Sequence, residues 1–211
     1  MEYLGLLVGL GNPGPQYAHT RHNRGFDLVD TILEAAQRDG RVESLNGAKF
    51  KGELWRCTLG DAPGWWLAVK PLTLMNLSGA CVQPLLAWYK LTPASLLVMH
   101  DELDIPAGEL RFKFGGGNAG HNGLKSITQC CGTPDFYRLR LGIGRPPHKG
   151  EVINWVLGRP DAADAQRMAQ TVPDALETLR IFARQGVQAA SKYALGVKLP
   201  QEQAQGGEAQ H

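Results

Sequence analysis

The chain has 211 residues, 43% of them hydrophobic and 20% charged, with a formal net charge of +2. That is the composition of an ordinary globular protein, and it excludes disordered, fibrous and coiled-coil classes. The length predicts one domain with one substantial core. No apolar run approaches the roughly 18 to 20 residues of a bilayer span. There is also no basic leader followed by a cleavage site. A cytoplasmic protein with no membrane partner is therefore expected.

Tyr3 to Leu10 is apolar and bounded by glycine, the mark of a strand buried on both faces. Phe26, Val29, Ile32, Leu33 and Ala36 recur at helical spacing. Lys49 to Leu59 and Trp65 to Val69 read as strands joined by the turn-forming Gly60-Asp61-Ala62-Pro63-Gly64. Leu74 to Tyr89 reads as a helix that Pro84 kinks or divides. A short buried strand from Leu96 to Met99 ends at His100-Asp101, and further strands are predicted at Leu110 to Phe114 and Tyr137 to Ile143. Between these two lies a predicted helix, about Asn122 to Cys130, and a last strand is predicted at Val152 to Leu157. One or two helices follow between Asp161 and Tyr193, and residues 197–211 form a polar tail expected to be disordered. Alternating strands and helices predict an α/β fold: a single domain, residues 1–196, with a central mixed, twisted sheet flanked by helices on both faces.

Cys57, Cys81, Cys130 and Cys131 form no Cys-x-x-Cys pair and have no zinc-type histidine spacing, so buried free thiols and no metal are expected. Charge is unevenly spread. From Arg111 to Lys149 seven basic residues stand against Asp135 alone, giving that segment +6 and the remainder −4. Such polarity fits a polyanion lying against one face.

Gly9-Leu10-Gly11-Asn12-Pro13-Gly14 has the dinucleotide-binding spacing Gly-x-Gly-x-x-Gly after a strand. Pro13 and Pro15 obstruct the helix whose amides would hold a pyrophosphate, and Asp30 falls inside a helix instead of at a second strand end. The loop is better read as a rigid support that presents Asn12 to a cleft. His22 lies in a polar stretch just before a helix, and Asp101 follows a strand. A carboxylate bonded to one imidazole nitrogen fixes the tautomer and leaves the other nitrogen free to take a proton from water. Asp101 can orient His22 in this way if the two strand ends are neighbours.

Five segments carry a resemblance. They are Val8 to Gly14, Tyr17 through Thr20-Arg21-His22-Asn23, Met75-Asn76-Leu77-Ser78-Gly79, His100-Asp101-Glu102-Leu103-Asp104, and Gly115 to Lys125. In that order, and continued by Phe136 to Gly144, they resemble the bacterial-type peptidyl-tRNA hydrolases over about residues 4 to 195. The resemblance implies a hydrolase acting on the ester between a peptide and the terminal ribose of tRNA, a monomer without cofactor or metal. It implies His22 as general base, Asp101 as its partner, and Asn12 as the residue that favours blocked over free aminoacyl groups. Leu74, Met75, Asn76 and Asn122 fall at substrate-binding positions, and Tyr17 at one contacting the tRNA terminus. Lys113 and Arg140 match positions that hold a tRNA phosphate, with Lys125 and Arg138 extending the field. The chain departs from the common pattern at Leu74, Asn118, Ala119 and Arg145, where Phe, His, Gly and His are frequent. A non-catalytic RNA-binding relative of the same fold is the alternative reading.

Overall fold

Leu6, Leu7, Val8, Leu96, Leu97, Val98 and Met99 have no exposed surface, so the two strands that carry them are covered on both faces. Around them the computed structural model describes residues 2–197 as a seven-stranded mixed sheet. The strands are β1 (Leu6–Gly9), β2 (Val42–Leu45), β3 (Gly52–Cys57), β4 (Trp66–Pro71), β5 (Leu96–Glu102), β6 (Leu110–Phe114) and β7 (Tyr137–Gly142). Their order across the sheet is β2-β3-β4-β1-β5-β7-β6. The inner strands β4, β1, β5 and β7 run parallel, while β2, β3 and β6 are antiparallel to their neighbours.

Helices cover both faces. Against one lie α1 (Arg24–Arg38), α6 (Val172–Gln185) and α7 (Val187–Gly196), through Leu28, Val29, Ile32, Ala175, Leu179 and Ala190. Against the other lie α2 (Gly79–Trp88) and α3 (Asn122–Cys131), through Cys81, Val82, Leu85, Leu124 and Ile127. The chain leaving β1 thus goes to one face and the chain leaving β4 to the other. The strand ends open into a crevice there, the usual ligand position of open α/β sheets.

Several predicted elements differ in the structure. Val152–Leu157 is a helix, α4, not a strand. Its β-branched and aromatic residues favour extended chain, but a helix puts Val152, Ile153, Val156 and Leu157 on one cavity wall while Trp155 reaches the protein body. The segment predicted to hold one or two helices holds three: α5 (Ala162–Gln170), α6 and α7. Pro173, tolerated only in a first helical turn, starts α6. Gly186, at φ 83°, ends it in backbone that glycine adopts without penalty. Pro84 lies within α2 without dividing it; the break comes earlier, between a one-turn 3-10 helix at Met75–Leu77 and Gly79. Strand β2, partly to fully exposed along its length, has no apolar pattern to announce it. The first residues predicted for β3 are instead a 3-10 turn at Ala48–Phe50. Of the polar tail, all but Val197 lies outside the described residues. Cys57 and Cys81 are buried free thiols, but Cys130 is exposed at the end of α3.

Close approach of α1 to the sheet sets the position of everything that precedes it. A Cβ on Gly25 would lie 2.3 Å from the backbone of both Leu10 and Met99. Gly25→Ala should therefore cost about 1–3 kcal/mol or more from overpacking, despite the roughly 1 kcal/mol that Ala gains in helix propensity. Denaturant unfolding of the two forms checks this; an unchanged or raised midpoint would contradict the tight contact.

Candidate active site

The parallel strands β4, β1 and β5 end side by side, and their following loops deliver the site. After β1 come Asn12 and the one-turn 3-10 helix Arg21–Asn23; after β4, Leu74 to Asn76; at the end of β5, Asp101 and Glu102. A cavity of about 590 Å³ opens there, lined by Asn12, Tyr17, His22, Leu74, Met75, Asn76, Asp101, His121 and Asn122 among others. All eight residues that the resemblance places at the ester or the tRNA terminus thus share one cavity. Lys113 and Arg140 do not line it. They lie on β6 and β7, and Arg140 connects to the cavity wall through Glu102, its Nε donating at 3.0 Å to Glu102 Oε2.

Asp101 is at the centre. Its side chain is 2% exposed, and His22 Nδ1 lies 2.9 Å from Oδ1 and 3.0 Å from Oδ2. His121 Nε2 lies 3.0 Å from Oδ1. Burial alone would raise the Asp101 pKa, but the two imidazoles, by charge and by hydrogen bond, outweigh it and hold the carboxyl well below the usual carboxylate range. With Nδ1–H given to Asp101, His22 keeps Nε2 and its lone pair for the cavity.

His121 is the site residue that sequence reasoning passes over. It is the N-cap of α3, and its Nδ1 accepts from Gly123 N at 3.2 Å and Leu124 N at 3.5 Å. A ring nitrogen that accepts cannot carry the proton, so Nε2–H is the donor to Asp101. The signal lay in the sequence, as a histidine directly before a helix inside the Gly115 to Lys125 segment. His22, Asp101 and His121 are close enough in ligand atoms to be considered for a metal. The proton on His121 Nε2 removes one lone pair from that set, so the donors form a hydrogen-bond cluster better than a coordination sphere. Behind them His100 is fully buried, its Nδ1 donating to Asp101 O at 2.7 Å and its ring meeting His121 edge-on at 5.0 Å. Burial, and then the neighbouring His121, push its pKa well below the ordinary histidine value, so the ring is neutral.

Asn12 is fixed from two sides. Its backbone exchanges two hydrogen bonds with the Asn23 carboxamide, at 2.9 and 3.0 Å, and its Oδ1 accepts from Met75 N at 2.8 Å. With the oxygen committed, the carboxamide has its Nδ2–H₂ to offer the cavity. Two of the departures from the common pattern are accommodated locally. Asn118 Oδ1 accepts from Thr128 Oγ1, and Ala119 keeps a left-handed φ of 47°, a backbone state that favours glycine.

The basic segment needs a correction. Arg138 is 1% exposed and does not extend a surface field. Its guanidinium donates to the carbonyls of Gly116 and Gly117 at 2.7 and 2.6 Å and so anchors the glycine loop. Arg111 pairs with Glu109, Arg140 with Glu102 and Arg145 with Asp104.

A buried carboxylate that holds one imidazole nitrogen and leaves the other free over a carboxamide-lined crevice is the arrangement of a hydrolase of the general-base class. The family profile described as "Peptidyl-tRNA hydrolase" matches residues 6–202. This chain belongs to the peptidyl-tRNA hydrolase family. It is 62% identical over 194 residues to a peptidyl-tRNA hydrolase of Desulfovibrio desulfuricans, covering 92% of this chain and 85% of that protein. A relative of the same name from Nitratidesulfovibrio vulgaris is 53% identical, with 94% and 99% covered. The crystal structure of peptidyl-tRNA hydrolase from Acinetobacter baumannii superposes with a TM-score of 0.84 at 36% identity, covering 94% and 98%. Among the described residues no helix is long and apolar enough to cross a membrane.

Asp101 and His100 are both more acidic in the folded chain than in the unfolded one. The folded chain therefore holds fewer protons and loses stability as pH falls. The windows differ: the His100 contribution starts to be lost below about pH 6.5 and the Asp101 contribution below about pH 4. Measured as denaturation midpoint against pH, His100→Asn should flatten the first part of the acid limb and leave the second. An identical slope in both forms between about pH 6.5 and 4.5 would show that His100 titrates normally.

Proposed function

We propose that this chain hydrolyses the ester between a peptide, or an N-blocked amino acid, and the 3′-terminal ribose of tRNA, with His22 as general base. The observation that carries the reading is the His22 Nδ1 contact with buried Asp101, which leaves Nε2 directed to a cavity lined by three asparagines.

His22 Nε2 takes a proton from water as the water oxygen bonds to the ester carbonyl carbon. The carbonyl oxygen becomes an oxyanion, which the cavity's amide donors stabilise. The bond to the ribose oxygen then breaks, and the proton on His22 passes to that oxygen. Peptide acid and free tRNA leave, and His22 is again neutral. Asp101 remains ionised throughout, stabilising the imidazolium that forms between the two transfers.

Asn12 supplies selectivity. Its Nδ2–H₂ can donate to a carbonyl of a peptide or blocking group, whereas a free α-ammonium would face it donor against donor. Asn76 and Asn122, both exposed at the cavity mouth, bind the substrate on either side of the ester. Leu74 and Met75 supply apolar contact. Tyr17, half-buried, stacks on or packs against the terminal nucleotide. Lys113 and Arg140 lie farther along β6 and β7, where a phosphate of the acceptor stem would pass, and Lys125 adds an exposed charge on α3. The whole constellation comes from one chain, so a monomer in the cytoplasm, recycling tRNA, is sufficient.

The test is release of free tRNA from an N-acetylated aminoacyl-tRNA. Wild type should turn over, His22→Ala should lose about 10²–10⁴ in rate, and the unblocked aminoacyl-tRNA should react poorly. Tight tRNA binding by wild type without turnover would favour a binding protein over a hydrolase.

A further inference from the structure

In a 3-10 helix successive side chains diverge by about a third of a turn. The single turn Arg21–Asn23 uses this to reach three parts of the molecule at once. His22 goes to Asp101 and Asn23 to the backbone of Asn12. Arg21 goes the other way, into the segment that carries α4 and α5, and is 5% exposed. Its Nη1 donates to Arg159 O at 2.9 Å, its Nη2 lies 3.5 Å from Asp164 Oδ2, and its backbone N–H donates to Gly158 O at 3.0 Å. The guanidinium carbon lies 3.7 Å from the centroid of the Trp155 ring.

Trp155 is the inner residue of α4, and its Nε1 donates to Gly144 O at 3.0 Å. No residue of α4 is fully buried, and Ile153 is 71% exposed. Core burial therefore does not hold this helix in place. Its apolar residues Val152, Ile153, Val156 and Leu157 are spent on the cavity that also contains His22. What fixes it is the indole of Trp155, gripped between a cation and a carbonyl. Cation–π contacts gain strength when desolvated.

We infer that Arg21 is a positioning residue: its buried guanidinium pins Trp155, and so sets α4 as the apolar wall against which the acyl part of the substrate rests. The inference rests on the hydrolase reading above and adds to it the residue that controls grip on the acyl half. Arg21 touches neither water nor ester in this scheme. It acts through α4, so its loss weakens substrate binding and leaves the proton transfers intact.

The experiment is steady-state kinetics on an N-acetylated aminoacyl-tRNA with wild type, Arg21→Met, Trp155→Leu and the double variant. It is accompanied by the Kd for uncharged tRNA and the pH profile of kcat. The expected result is a KM raised about tenfold in each variant, with kcat within about threefold and its pH profile unmoved. The double variant should lose less than the two single losses combined, because both break the Arg21–Trp155 contact while each also gives up a bond of its own. Affinity for uncharged tRNA should stay at the wild-type value, since α4 meets the acyl group. A fall in kcat with a shifted pH profile would mean that Arg21 acts on His22 and would overturn the inference, as would additive losses in the double variant. If Arg21→Met does not fold, Trp155→Leu carries the same readout, and an unmoved KM there sinks the idea. Wild type without turnover would fail the hydrolase reading itself, whereas turnover with unmoved KM in the variants fails this inference alone.

Discussion

A carboxylate with almost no access to water must be compensated where it stands, and the geometry of this site follows from that requirement at Asp101. The compensation comes from two imidazoles on different elements, one preceding α1 and one capping α3. Each is committed by a second constraint. His121 is oriented by the amides at the start of α3, and His22 by the 3-10 turn that also carries Arg21 and Asn23. Losing either ring would leave a buried charge short of a donor, a loss that typically costs about 1–3 kcal/mol or more. The same contacts that keep Asp101 ionised therefore also hold the two helix starts in place around the crevice.

The fold provides this meeting point cheaply. Parallel pairing of β4, β1 and β5 brings three loops to one edge, and the glycines at 9 and 25 let α1 lie almost against the strands. A Cβ on Gly9 would fall 2.4 Å from Gly25 O. The Gly-x-Gly-x-x-Gly spacing thus serves helix–strand contact and a fixed Asn12, with no phosphate-binding helix following it. Asn23 occupies the Asn12 backbone and Met75 N–H occupies the Asn12 Oδ1, which leaves the amide N–H₂ pair of Asn12 to turn outwards.

Much of this was legible in the sequence, because periodicity and short motifs record local constraints. The apolar runs at 6–9 and 96–99 located the central strands, and the spacing of Val29, Ile32 and Ala36 located α1. His22 and Asp101 could be paired because a histidine just before a helix and a carboxylate directly after a strand have the chemistry of a general base and its orienting partner. What escaped was set by tertiary contact. α4 carries the composition of a strand, but its surroundings are those of a helix, with a cavity on one side and Arg21 against Trp155 on the other. His121 drew no notice in the sequence, because its role depends on Asp101 lying opposite its second nitrogen. Arg138 looked like its exposed neighbours until two glycine carbonyls closed over it.

That last contact, with the three arginine–carboxylate pairs near it, changes what the basic segment is to an approaching polyanion. Glu102, Asp104 and Glu109 all come from outside the segment, so three of its six formal excess charges, half, are compensated at its border. Seen from beyond the Debye length, about 8–10 Å at physiological salt, such a surface presents a reduced net charge with three ion-pair dipoles around it. The three paired arginines are held in place in advance, so any anion that reaches them has to take the place of a carboxylate already there.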